Sequence, residues 1–259
     1  MLKWLRRGAK PELAVPLPHS GDRIYAVGDI HGRSDLFEEL LTRLRRDADG
    51  QTDERRSILV LLGDYVDRGD HSREVLDQIL KEAQSDGPWT QIVALRGNHE
   101  AALLDFLEDP EKGAAWLSFG GKQTLASYGV PVAKARPDTK ELSDMAQALS
   151  RAMGDHVSFL NRTARAYRSG DVVFAHAGVA SDVPLSDQSE AAVLWGRSDF
   201  LEVGPPPGLR VVHGHWDDYE PVVTEQRLCL DTGAYYSGRL TAARLDSDTE
   251  LIHVDVFDL

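Results

Sequence analysis

Ser57-Ile58-Leu59-Val60-Leu61-Leu62-Gly63-Asp64-Tyr65-Val66-Asp67-Arg68-Gly69 is an apolar run that stops on a glycine and then carries two carboxylates and an arginine. A short continuous apolar run bounded by a turn signal reads as a buried strand. The same grammar recurs on both sides. Upstream, the run at residues 23–27 ends in Gly28-Asp29-Ile30-His31-Gly32, and downstream the run at 91–95 ends in Arg96-Gly97-Asn98-His99-Glu100. Between the runs, Leu36, Phe37, Leu40, Leu41 and Leu44, then Val75, Leu76, Ile79 and Leu80, recur at helical spacing. Three strand–loop–helix units predict βαβ connections and a largely parallel sheet. In such sheets functional groups gather at the carboxyl ends of the strands, so the three polar motifs are expected to converge.

Farther out the pattern changes. Leu103, Leu104 and Leu107, then Leu142, Met145, Leu149 and Met153, mark helices interrupted by Gly129, Pro131 and Pro137. This predicts a helical insertion, about residues 101–165, lying beside the site as a partial cap. Strands are expected again at 166–167, 172–175, 211–212, 228–230, 240–245 and 252–256. The hairpin-like spacing of the last four predicts a mainly antiparallel second half. The division expected is an N-terminal tail at 1–22 and a single domain at 23–259, with Gly204-Pro205-Pro206-Pro207-Gly208 as a stiff surface loop.

A chain of 259 residues can bury one large core. Its net charge of −13, from 29 basic and 42 acidic residues, repels long polyanions, so no nucleic-acid partner is expected. Small phosphorylated substrates stay open, because bound metal ions reverse the local sign. The single cysteine, Cys229, rules out an intrachain disulfide and reads as a buried structural thiol in a reducing, cytoplasmic compartment. Met1-Leu2-Lys3-Trp4-Leu5-Arg6-Arg7 is followed by no long apolar run, so a frayed tail is expected rather than a secretory signal. No run is long enough for a membrane span.

The polar strand ends form one chemical set: Asp29 with His31, Asp64 with Asp67 and Arg68, Asn98 with His99, then His176 and His215. Carboxylate, imidazole and amide oxygen suit Mn²⁺, Fe or Zn²⁺, and a carboxylate can bridge two ions. One Gly-Asp pair alone is usually a turn; five such groups in series point to metal. His213, two residues before His215, faces the same side of a strand and is assigned a supporting role. His19, His71, His156 and His253 are assigned to surface or core.

The blocks Gly28–Gly32, Gly63–Gly69 and Gly97–Glu100, with His176-Ala177-Gly178 and Gly214-His215-Trp216, resemble the phosphoprotein phosphatase family of calcineurin-like metallophosphoesterases. The resemblance spans about residues 23–245. It implies an α/β fold, a β-sandwich of two mixed sheets flanked by helices (αββα) with a helical insertion. It implies that Asp29 and His31 hold one metal, that Asp64 bridges, and that Asn98, His176 and His215 complete the second. His99 would be the general acid, oriented by Asp67. Arg68, Arg96 and Arg197, the last in Trp195-Gly196-Arg197, would grip phosphate oxygens. Two divalent ions are implied, Mn²⁺ first, with Fe or Zn²⁺ as alternatives, about 3.5–4 Å apart.

The resemblance divides over substrate. Asp67 and Glu100 match protein phosphatases, and Trp116…Gly120-Gly121…Thr124-Leu125…Ser127-Tyr128-Gly129 is similar to bacterial enzymes of that type. Ala177 and Trp216 resemble symmetrical diadenosine tetraphosphatases, as does Asp231-Thr232-Gly233-Ala234 followed by Gly238-Arg239-Leu240-Thr241. The implied function is hydrolysis of phosphomonoesters by a water bridging two metals. The implied partner is a phosphorylated protein, through phosphoserine or phosphothreonine with phosphotyrosine as a further class, or a small phosphoester. The alternative is a symmetrical dinucleoside tetraphosphate hydrolase. A non-catalytic module is disfavoured by the complete ligand set, and a nuclease by the acidic balance.

Overall fold

The computed structural model describes residues 15–132, 134–197 and 199–259, so the tail expected at 1–22 lies mostly outside the described residues. In chain order, β1 (Asp22–Val27), α1 (Ser34–Asp49), β2 (Arg56–Leu61), α2 (Ser72–Ala83) and β3 (Gln91–Ala94) form the first half. Next come α3 (Asn98–Glu108), a 3₁₀ segment (Lys112–Ser118), α4 (Gly121–Ser127), α5 (Thr139–Met153) and α6 (Asp155–Asn161). The chain continues through β4 (Ala166–Ser169), β5 (Val172–Ala175), α7 (Glu190–Trp195), α8 (Phe200–Val203) and β6 (Arg210–His213). It ends with β7 (Val222–Val223), β8 (Arg227–Cys229), α9 (Ala234–Ser237), β9 (Arg239–Leu245) and β10 (Thr249–Asp255).

The strands make two mixed sheets, ordered β10-β9-β1-β2-β3 and β4-β5-β6-β8-β7. β1, β2 and β3 are parallel as expected, with Ile24 opposite Ile58 and Val60 opposite Val93. β1 explains why its sequence shows no polar alternation. Tyr25 and Val27 pack under α1 and α2, while Ile24 and Ala26 face Val172, Phe174 and Val212 of the other sheet. Both faces are buried, so both must be apolar. On the far side, Val193, Leu194 and Phe200 of α7 and α8 cover Val173, Ala175 and Val211. The layers therefore run helix, sheet, sheet, helix.

The second half is mainly antiparallel as expected, but the hairpin pairing expected of its last four strands is corrected. β9–β10, β7–β8 and β4–β5 are antiparallel, but β6 is parallel to both β5 and β8. Parallel neighbours need a crossover of about a dozen residues or more. Residues 176–209, carrying α7 and α8, and residues 214–226 supply these crossovers. Consequently β1, β2, β3, β5, β6 and β8 end at the same edge of the sandwich. The helices of residues 101–165 join the core of α1 and α2, through Leu103, Phe106, Leu125, Leu142 and Leu149.

Candidate metal centre

Asp64 sits at the middle of the edge. Its Oδ2 lies 3.5 Å from His31 Nε2 and 3.9 Å from His99 Nε2, and its Oδ1 lies 3.5 Å from His176 Nε2. Two trios share it, His31–Asp64–His99 and Asp64–His176–His215, each with ligand atoms within 4.8 Å of one another. Carbonyls fix the tautomers. His31 Nδ1–H donates to the Val66 carbonyl (2.9 Å) and His176 Nδ1–H to that of Leu62 (3.0 Å). Each Nε2 therefore turns a lone pair toward Asp64. Asn98 Oδ1 is 2.9 Å from His176 Nε2 and 3.0 Å from His215 Nδ1. Acceptor faces acceptor at His176, an arrangement that a cation between them satisfies.

Asp29 is buried beside this group; its Oδ2 accepts the His215 N–H (3.0 Å), while its Oδ1 has no partner. Burial, with the charges of Asp231 and Asp64, pushes Asp29 well above the usual carboxylate range. Burial likewise pushes Asp231 up to about 6. Burial opposes the charge on Asp64 too, but His176, His99 and His31 outweigh it and hold Asp64 low. Burial lowers His31 to about 3 and His215 to about 4, so both imidazoles are neutral and free to ligate. Crowded carboxylates, neutral imidazoles and an orphaned oxygen together suit a divalent cation.

The backbone is bent to make this site. Among the described residues, the non-glycine positions with positive φ are His31 (46°), Asp64 (51°), Asp67 (73°), Arg68 (67°) and His215 (65°). Such strain clusters at functional sites. Two glycines admit the carboxylates: a Cβ on Gly214 would sit 1.8 Å from Asp29 Oδ1, and one on Gly97 would sit 2.1 Å from Asp64 Oδ1.

Glu100 anchors the Asp64 loop from below. Its Oε2 accepts N–H groups of Asp64 (2.8 Å) and Gly97 (2.9 Å), and its Oε1 those of Tyr65 (2.8 Å) and Val66 (3.2 Å). Burial and the charge of Asp64 push it up to about 7, against the pull of the Gly97 and Asp64 N–H groups. Sequence reasoning gave Glu100 no such role, although its place three residues into the helix after Gly97 is a capping-box signal.

Beside the trios, His99 Nδ1 is 2.7 Å from Asp67 Oδ2, both residues buried. Burial pulls His99 down, but Asp64 and Asp67 outweigh it and raise it above 6.5. Asp67 also accepts Trp116 Nε1–H (2.7 Å) and Thr124 Oγ1–H (2.6 Å) from the helical insertion. The three arginines differ. Arg68 is half-buried, its guanidinium 4.9 Å from the Tyr235 ring centre, and it lines a cavity of about 690 Å³ with Lys122 and Phe119. Arg96 binds Thr163 Oγ1 (3.1 Å) and the Leu160 and Asn161 carbonyls (3.1 Å each). Arg197 is exposed and paired with Asp199 (2.8 Å) and Asp182 (3.0 Å). His213 stays outside both trios, its ring against Phe200 at 5.2 Å, and Cys229 is buried.

Residues 22–219 match the model of the calcineurin-like phosphoesterases. This chain belongs to that family. The phosphoesterase is 28% identical to the serine/threonine-protein phosphatase 1 of Salmonella typhimurium, over 86% of this chain and 91% of that one. It is 27% identical to a symmetrical bis(5'-nucleosyl)-tetraphosphatase of Methylococcus capsulatus, over 88% and 93% respectively. Its fold superposes on a solved structure assigned to a diadenosine tetraphosphatase with a TM-score of 0.56 at 23% identity, covering 93% of this chain and 96% of that one. The phosphoesterase is thus a metal-dependent hydrolase whose shared Asp64 is consistent with a binuclear site, and relatives of both substrate types stand at similar distance. No helix among the described residues is long and apolar enough to cross a membrane.

Proposed function

We propose that this phosphoesterase hydrolyses phosphomonoesters of proteins, at phosphoserine or phosphothreonine, through a single catalytic domain at residues 23–259 in the cytoplasm. Asp29 and His31 would hold one divalent cation, Asn98, His176 and His215 the other, with Asp64 shared between them; Mn²⁺ fits the oxygen and imidazole donors. When bound, the pair supplies Lewis acidity and a water of lowered pKa. The chain's own residues do the rest. Arg68 is the arginine best placed to bind phosphate oxygens, having no carboxylate within ion-pair distance among the described residues. Arg96 and Arg197 reach phosphate only by leaving the partners that now hold them. His99 carries its proton on Nε2 while Nδ1–H is held by Asp67, and gives the Nε2 proton to the leaving alkoxide.

The observation that carries this reading is the buried His99–Asp67 pair at 2.7 Å. A serine or threonine alkoxide needs that proton, whereas a nucleotide phosphate leaves without it. Trp216 adds support: its indole N–H is bonded to the Ala177 carbonyl (3.0 Å) and its ring edge packs on Gly196, so it serves as wall. The dinucleoside tetraphosphate reading draws on the cavity of about 690 Å³, where Arg68 and Lys122 offer cations and Tyr235 an aromatic face. The test is kcat/KM with Mn²⁺ on phosphoserine, phosphothreonine and phosphotyrosine peptides against diadenosine tetraphosphate. The peptides are expected to lead; a tetraphosphate advantage of about tenfold or more, about 1.4 kcal/mol, reverses the assignment.

A further inference from the structure

The helical insertion reaches the catalytic edge through two side chains that share one acceptor. Asp67 is 0% exposed and its carboxylate has three donors. Oδ2 takes His99 Nδ1–H and Trp116 Nε1–H, each at 2.7 Å, and Oδ1 takes Thr124 Oγ1–H at 2.6 Å. Thr124 grips Asp67 from both ends, since its Oγ1 also accepts the Asp67 N–H (2.9 Å), beside Ser72 Oγ (3.0 Å). That second bond holds Asp67 at φ 73°, a conformation a non-glycine residue keeps only under such constraint.

Trp116 is itself pinned. Its ring packs on Phe106 at a tilt of 38°, centroids 5.0 Å apart, and a Cβ on Gly121 would lie 2.5 Å from indole Cδ2 and Cε2. Trp116, Gly121 and Thr124 thus form one device, spread over the 3₁₀ segment and the first half of α4. A free carboxylate rotates about its last torsion and offers His99 either oxygen at any angle. With Trp116 and Thr124 bound, only the orientation that directs His99 Nε2 toward Asp64 remains.

We propose that Trp116 and Thr124 are positioning residues of the hydrolysis, holding the Asp67 carboxylate so that the His99 ring is aimed at the departing oxygen. This rests on the general-acid reading of His99. The insertion then does more than cover the site: it sets the aim of the acid. Gly121 belongs to the device because only a residue without Cβ lets the indole lie where its N–H meets Asp67.

The experiment compares Trp116→Phe, Thr124→Val, Thr124→Ser, Gly121→Ala and His99→Asn on an alkyl phosphate ester and on p-nitrophenyl phosphate. Trp116→Phe and Thr124→Val are expected to lower kcat on the alkyl ester by about tenfold to a hundredfold, part of the roughly 10²–10⁴ of general-acid catalysis. KM should stay within about twofold, and the loss on p-nitrophenyl phosphate, whose leaving group needs no proton, should be under about threefold. Gly121→Ala should copy Trp116→Phe, and Thr124→Ser should restore most of the rate. In a His99→Asn background Trp116→Phe should cost nothing further, because residues acting through one group are not additive. Equal losses on both substrates, or a full loss added to His99→Asn, overturn the proposal. The His99 Nδ1–H proton resonance separates it from the acid reading. If His99→Asn fails to distinguish the two substrates, the acid role falls. The positioning claim still requires Trp116→Phe to move that resonance, and an unmoved resonance overturns it.

Discussion

Glu100→Gln replaces the carboxyl group beneath the site by an amide of the same shape. The carboxylate accepts four backbone N–H groups, those of Asp64, Gly97, Tyr65 and Val66, at 2.8–3.2 Å. A glutamine oxygen can keep two of them; its NH₂ then faces the other two donors. Two buried N–H groups without acceptors cost about 1–3 kcal/mol each, so about 2–6 kcal/mol in all. Against a total stability of roughly 5–15 kcal/mol this is a large share, and it corresponds to a fall in Tm of roughly 5–20 °C for a chain of this size. The Asp64 N–H is among the donors, so the loop carrying the shared carboxylate loosens, and metal affinity should drop about 10–100-fold, as when a ligand's supporting bond is lost. Thermal unfolding by tryptophan fluorescence gives the first number, and calorimetric Mn²⁺ titration of metal-depleted protein the second. A variant within about 1 kcal/mol of the parent with unchanged Mn²⁺ affinity would refute the anchoring role.

Asp64→Asn is expected to abolish turnover and weaken both metals together, since both trios use its carboxylate; two tightly held ions per chain after dialysis, with near-normal activity, would reject the bridge. Arg68→Ala should raise KM and lower kcat on p-nitrophenyl phosphate, whereas Arg96→Ala should also lower Tm, because its guanidinium ties β3 to the end of α6. Arg210 is 2% exposed, and among the described residues its Nε has no partner and no carboxylate pairs with it; its Nη1 donates to Thr249 Oγ1 at 2.7 Å. Arg210→Met should therefore leave Tm unchanged or raise it, by up to about 1–4 kcal/mol of stability, and a loss above about 2 kcal/mol would contradict this. Burial pushes Asp246 up, but the hydrogen bond from Arg23, the Asp248 and Ser247 N–H groups and the charge of Arg244 together outweigh it and hold the carboxyl below 3.8. Its stability contribution is thus present above pH 3.8 and lost as pH falls through the lower folded value. Urea midpoints of Asp246→Asn and the parent should differ at pH 6 and converge as pH falls below 3.8; a constant gap would exclude the linkage.

The first sheet was legible because its three apolar runs each stop on a motif, and buried parallel strands carry no other pattern. The same fact hid the pairing of β5, β6 and β8, whose runs of three or four residues give no direction, so hairpin spacing misled. At the site, sequence brought together the groups that stand at strand ends. It marked Trp116 and Thr124 only through a resemblance, and could not find their bonds to Asp67, which join residues 49 and 57 positions apart with no local pattern linking them. Nor could it see that Arg197 and Arg96 have local partners, since a surface pair such as Arg197–Asp199 looks in sequence like any two neighbouring charges.

The left-handed backbone at His31, Asp64, Asp67, Arg68 and His215 has a bearing on descent. Each such residue costs about 1–3 kcal/mol that a glycine would not. At Arg68 a glycine would relax the backbone and remove only the cation proposed to bind phosphate, whereas at Asp67 it would leave His99, Trp116 and Thr124 without their shared acceptor. The first kind of position is held by the reaction it serves, the second by the fold as well.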